Sequence, residues 1–129
     1  MATGVISGKY GVINHRDPNL PVSVTLRQGT RWNILVIASM TQNIRRGVVG
    51  ATHISLFRGT RPPDDFLTRS DNARYRFSTA NPWYTFANIL HYKTDTLESL
   101  TTFTAQLECD PEPCSDQGQI IILATPSGD

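Results

Sequence analysis

The chain has 129 residues, of which 12 are basic and 11 acidic, for a formal charge of +1. That length suits one domain able to bury its own core, and so even a balance, with no basic block, argues against nucleic acid as a partner. The longest apolar run, residues 34–38, is far too short to cross a bilayer. The first nine residues carry neither the basic nor the apolar region of a signal peptide.

Helical periodicity is missing throughout. Thr, Val, Ile and aromatic residues dominate instead, cut at short intervals by Gly, Pro, Asn and Asp, the pattern of an all-β sandwich or barrel. Residues 1–19 are weakly apolar, with Val5, Ile6, Tyr10, Val12 and Ile13 spaced by Gly4, Gly8 and Gly11 before a turn around Pro18. They read either as an edge strand of the domain or as an arm that adds itself to a neighbour's sheet. Residues 21–28 alternate Val22, Val24 and Leu26 against Ser23, Thr25 and Arg27, a half-buried strand.

Residues 32–40 organise the chain. Alternation places Ile34, Val36, Ala38 and Met40 on one face and Asn33, Leu35, Ile37 and Ser39 on the other. Both faces carry large apolar side chains at their centre, so this strand is expected to be covered on two sides. After a loop at 43–50, a strand at 51–58 splits Ile54 and Leu56 from His53, Ser55 and Phe57. Residues 60–80 are the most polar stretch, and 83–92 hold Trp83, Tyr84, Phe86, Ile89 and Leu90. Residues 101–108 alternate Phe103, Ala105 and Leu107 inward against Thr102, Thr104, Gln106 and Glu108. A loop at 109–118 then leads to a last apolar strand, 119–124, again dry on both faces. About eight strands in one domain suit a two-sheet sandwich better than a single meander.

Few residues form a pattern that carries chemistry. His15, His53 and His91 are the histidines, and no glycine-flanked nucleophile elbow accompanies them. Cys109 and Cys114 are too few for a zinc site; they either pair across a loop or stay as free thiols in an exposed turn. Glu108, Asp110, Glu112 and Asp116 match no calcium loop, and Pro111 and Pro113 suggest a stiff solvated turn. No cofactor is implied. Arg45, Arg46, Asp64, Arg74 and Trp83 are the loop residues suited to binding a protein or glycan, although solvated charges and a core tryptophan are the ordinary fates of such side chains.

The order of segments resembles a known family. A strand reading Trp-Asn-Ile-Leu-Val-Ile-Ala-Ser-Met-Thr is followed by a loop and then by His-Ile-Ser-Leu-Phe-Arg-Gly-Thr at 53–60. A loop like 92–96 precedes a strand like 101–107, and 119–124 closes the chain. This is similar to phage fibre-tip and virion domains of the tumour-necrosis-factor and complement-globular-head type. The resemblance covers roughly residues 21–125 and implies a jelly roll that forms homotrimers, with the two doubly dry strands packed along the threefold axis. Trp32, Leu35, Ile37, Ile121 and Leu123 are then the expected trimer-interface residues.

Fibre tips usually follow a long stalk, whereas about twenty residues precede the jelly roll here; if the chain is complete, a free-standing trimer is the expectation rather than a fibre end. The expectation is a non-enzymatic virion protein of a tailed phage, made in the host cytoplasm and placed on the capsid exterior as a decoration or cement protein. The domain would span 20–125, with a short tail at 126–129. Val5, Ile6, Tyr10, Val12 and Ile13 of the arm would touch the major capsid protein. The alternatives are a receptor-binding tip for a host-surface glycan or protein, and a secreted cytokine-like ligand domain, against which the missing signal peptide argues.

Overall fold

The computed structural model describes residues 2–6, 11–15, 20–43, 49–60, 65–70, 73–76, 83–110 and 118–127, with side-chain surroundings within 20–41, 51–60, 65–70, 87–109 and 118–127. Among these residues there is no helix. Ten strands form: β1 (Ala2–Ile6), β2 (Gly11–His15), β3 (Val22–Leu26), β4 (Trp32–Asn43), β5 (Val49–Arg58), β6 (Phe66–Arg69), β7 (Ala73–Arg76), β8 (Trp83–Lys93), β9 (Thr101–Asp110) and β10 (Gly118–Pro126). They lie in two sheets. One runs β1-β3-β9-β5-β6, with β7 also on β5, and the other runs β2-β10-β4-β8. All pairs are antiparallel except β1 with β3. The architecture is an all-β sandwich.

The alternation read from the sequence sets the core. Ile34, Val36, Ala38 and Met40 of β4 and Ile120, Ile122 and Ala124 of β10 meet Val22, Val24 and Leu26 of β3 and Ile54, Leu56, Phe103, Ala105 and Leu107 of the facing sheet. These side chains are removed from water almost completely, and burial on that scale is the dominant stabilising term. Trp32, expected at a subunit interface, belongs to this inward set: its even number puts it on the Ile34 face, and it is 0% exposed.

Trp32 also fastens one end of the sandwich. Its indole Nε1–H donates to the Arg27 carbonyl at 3.1 Å, and the Arg27 guanidinium lies 5.5 Å from the ring centroid. Its backbone N–H donates to Thr94 Oγ1, and its carbonyl accepts from the Thr94 amide, both at 2.9 Å. Beside it, the Gly29 amide donates to the Leu97 carbonyl and the Leu97 amide returns to the Thr30 carbonyl. Gly29 holds φ 91°, a left-handed turn that a side chain would strain. The β3–β4 and β8–β9 connections are therefore zipped together.

The polar stretch 60–80 contains two strands that its composition hides. β6 and β7 continue one another along β5, with a register shift at Leu56/Phe57. The first 19 residues supply β1 and β2, which take an edge position in one sheet each.

Asn88 joins the two sheets from within. Its Nδ2 donates to the Thr52 carbonyl at 3.0 Å, and its Oδ1 accepts the Ile89 amide at 2.9 Å. Both Thr52 and Asn88 are buried, so removing the amide leaves two backbone groups without these partners. Asn88→Ala is expected to lower unfolding free energy by about 1–3 kcal/mol. Urea titration should show the midpoint falling with its slope unchanged, because the surface exposed on unfolding stays the same.

Candidate functional site: the outer face of the four-stranded sheet

The two outward faces differ in kind. On the β3–β9–β5 sheet the outward positions are mostly hydroxyls and charges, with one aromatic pair at the β6 edge, Phe57 and Phe66, whose rings meet edge-on with centroids 5.7 Å apart. Ser23 and Thr104 share a hydrogen bond at 2.7 Å, and Thr104 Oγ1 donates its proton to the Gly59 carbonyl at 2.6 Å, so Ser23 is the donor to Thr104. Thr25 and Thr102 repeat the pairing at 2.7 Å. Further along, His53 Nε2 bonds Glu108 Oε2, and Ser55 Oγ donates to Glu108 Oε1 at 3.5 Å.

That last group contains the residue types of a hydrolytic triad in the wrong order. The carboxylate stands between the hydroxyl and the imidazole, so the imidazole does not address the Ser55 proton, whose acceptor is Glu108 at a long 3.5 Å. Ser55 is also 3% exposed and out of reach of a substrate. The His53–Glu108 pair is partly exposed, 20% and 42% by side chain, and a pair so placed stabilises by about 1 kcal/mol at most.

The outer face of β2-β10-β4-β8 is apolar. Register places Leu35 opposite Leu123, Ile37 opposite Ile121, and both β4 residues opposite His91 and Ile89 of β8 respectively. Directly opposed residues share a face, so Leu35, Ile37, Ile89, Ile121 and Leu123 form one contiguous patch. The β4 and β10 members are half-buried, and Ile89 is 59% exposed, the largest value among the exposed isoleucines and valines described. Asn33, Ser39, Gln119 and Thr125 extend β4 and β10 beyond the patch as a polar rim. Among the described side chains of this face, His91 and Lys93 on β8 are the cationic or titratable groups, and there is no carboxylate.

An apolar centre with charge excluded and a polar rim is the composition of an interface core. Four strands spaced at about 4.8 Å, and nine register pairs along β4 and β10 rising about 3.3 Å each, give a face of roughly 19 Å by 30 Å. That is of the order of one partner's share in a standard protein interface, about 800 Å².

Four of the five expected interface residues lie on this face: Leu35, Ile37, Ile121 and Leu123. Trp32 does not, for the reason of parity given above. Ile89 and His91 were not separated from their neighbours by sequence reasoning, although the alternation Ala87, Ile89, His91 against Asn88, Leu90, Tyr92 was there to be split. Of the arm residues, Val5 and Ile6 lie in β1 opposite Thr25 and Leu26, and Val12 and Ile13 lie in β2 opposite Leu123 and Ile122. Tyr10 lies outside the described residues, as do Arg45, Arg46 and Asp64. Arg74 and Trp83 fall in β7 and β8, with side chains outside the described set.

Cys109 is disulfide-bonded and 7% exposed, its sulfur 4.0 Å from Met40 Sδ; Cys114 is the chain's other cysteine. A pair of free thiols in an exposed turn is thereby corrected. Among the described residues no three His, Cys, Asp or Glu side chains converge as metal ligands. Of the carboxylates considered for calcium, Glu108 is engaged by His53, and Asp110 ends β9. Glu112 and Asp116 lie outside the described residues.

No protein-family model matches the chain, and no curated protein matches it in sequence. Among solved structures it is similar to dimeric latent PorU from Porphyromonas gingivalis, with a TM-score of 0.49 and 10% identity over 92% of this chain. The chain spans 13% of that protein's length. It is also similar to PliG from Aeromonas hydrophila, a periplasmic inhibitor of g-type lysozyme, with a TM-score of 0.39 and 7% identity over 98% of each chain. Likeness at these values is too slight to carry a fold or an activity from either protein to this one.

Proposed function

We propose that the protein is a non-enzymatic structural subunit, a jelly roll that assembles with copies of itself through the outer face of β2-β10-β4-β8. Its place would be the exterior of a tailed-phage head, as a trimeric decoration protein bound to the major capsid protein. The apolar outer face carries the self-assembly reading: five large aliphatic side chains converge at its centre, whereas the opposite sheet presents mainly hydroxyls and charges, with Phe57 and Phe66 together at one edge. Exposed apolar area of this kind marks an interaction surface.

The strand orders support the jelly roll. From β2 onward the chain crosses repeatedly between sheets, and the orders 2-10-4-8 and 3-9-5-6 are those that two wrapped Greek keys produce. Three copies is the number the sequence resemblance implies. The capsid role rests on the same resemblance, and two observations agree with it. Among the described residues β1 and β2 each end a sheet, the position from which a strand can pair with a neighbouring chain, and the Cys109 disulfide suits a particle that persists outside a reducing cytoplasm.

Co-sedimentation with purified phage heads tests the placement. The full chain should pellet with heads at a fixed stoichiometry, and a chain lacking residues 1–19 should lose most of that affinity. Undiminished capsid binding without those residues would remove the arm mechanism. Binding to host cells but not to heads would replace the decoration role with receptor recognition.

A further inference from the structure

Along the outer margin of the other sheet, the partners of β5 share one chemistry. Thr52, Ile54 and Leu56 are buried toward the core, whereas His53 meets Glu108 outside, so the odd-numbered positions of β5 face outward. Register places Arg76 opposite Val49, Arg74 opposite Ala51, Arg69 opposite Ser55 and Phe66 opposite Phe57. Directly opposed residues share a face, so all four occupy outward positions. The strip runs from Val49 to Phe57 of β5, roughly 26 Å at the rise of a strand. Neither β5, β6 nor β7 contains a carboxylate. We propose that this strip binds an acidic polysaccharide laid along the direction of β5.

The charge pattern selects an anion. Charged side chains commonly protect a sheet edge from pairing, and either sign would serve that purpose. Here every charged residue of β6 and β7 is an arginine, the cation that grips a carboxylate or similar oxyanion through two parallel N–H bonds. Arg69 is exposed. The carboxylates paired among the described residues are Asp65 with Arg58 and Glu108 with His53.

Two further features select a polysaccharide among anions. Phe66 is 53% exposed and meets Phe57 edge-on, so its ring can receive the apolar side of a sugar. Between the Arg74 and Arg69 rows stands Glu108, bonded to His53 and still partly exposed, and Gln106 lies in the Arg69 row. Asp110 is placed across Ala51 from Arg74. A chain charged at every unit, such as an acidic peptide or a nucleic-acid backbone, would be repelled by these carboxylates. A polysaccharide carries hydroxyls between its anionic groups, and a hydroxyl can donate to Glu108 or bond the Gln106 amide.

This strip lies on the sheet opposite the self-assembly face, so the proposal holds whether or not copies assemble. Isothermal titration calorimetry of the full chain against polygalacturonate, dextran sulfate, neutral dextran and poly-glutamate tests it. At least one acidic polysaccharide should bind about tenfold or more tightly than dextran and poly-glutamate, and more weakly as salt is raised. Arg69→Gln and Arg74→Gln should each weaken that binding about tenfold, the worth of one charge-assisted contact, with circular dichroism unchanged. Phe66→Ala should weaken it and leave its salt dependence as it was. Poly-glutamate binding as tightly would overturn the polysaccharide in favour of an acidic protein segment. Failure of both acidic polysaccharides to bind, or binding that both arginine substitutions leave unchanged, would overturn the site.

Discussion

Leu35→Asp is expected to yield folded single chains where the wild type assembles. Leu35 lies at the centre of the outward face, opposite Leu123 and His91, and is half-buried in the single chain. In the single chain the carboxylate can reach water, so the cost to folding is about 1 kcal/mol, the span of strand propensities. In the assembly it would be enclosed by aliphatic side chains without a partner. A charge so placed costs roughly 4 kcal/mol or more, a loss of about a thousandfold in association. Thermal unfolding and light scattering separate the two effects. A folded Leu35→Asp that still assembles would show that this face is not the contact.

Trp32→Ala should do the reverse and unfold the chain without bearing on the contact directly. The side chain is fully buried, and its removal deletes a large core volume together with the Nε1–H bond to Arg27 and the stacking of the guanidinium. Losses of about 3–5 kcal/mol accompany such truncations, which is a large part of the stability of a domain this size. Chemical denaturation should show it. If Trp32→Ala instead left stability within about 1 kcal/mol and abolished assembly, the inward placement of this residue would be wrong. The two neighbouring substitutions, three residues apart on one strand, thus read out two different surfaces.

Parity explains both what the sequence disclosed and what it concealed. In β4 the strict alternation from Ile34 to Met40 separated core from outer face correctly, and the same rule assigned Phe103, Ala105 and Leu107 of β9 to the interior. Trp32, which the resemblance put at the trimer interface, belongs to the core, as its place in the alternation with Ile34 requires. Ile89 was named within an apolar stretch but not assigned to a face, because such a run reads as uniformly buried unless it is split by twos.

Other features had no local signal to read. β6 and β7 are four residues each. They mix apolar and polar residues, Phe66-Leu67-Thr68-Arg69 and Ala73-Arg74-Tyr75-Arg76, and are too short to show a period, so their existence depends on pairing with β5, a partner that short-range pattern does not reveal. The bridge from Asn88 to Thr52 spans 36 positions, and nothing near Asn88 announces it. The pairing of His53 with Glu108 is likewise a product of the β5–β9 register. Residues that face each other across a ladder become visible only when the ladder is known.

The molar mass of the protein in solution near neutral pH bears most directly on the account. Light scattering across micromolar concentrations should give three times the 14.3 kDa chain mass, reduced to one chain by Leu35→Asp. A wild type of one chain mass at every concentration would mean that the apolar outer face of β2-β10-β4-β8 is not used for self-assembly, and would contradict the central claim.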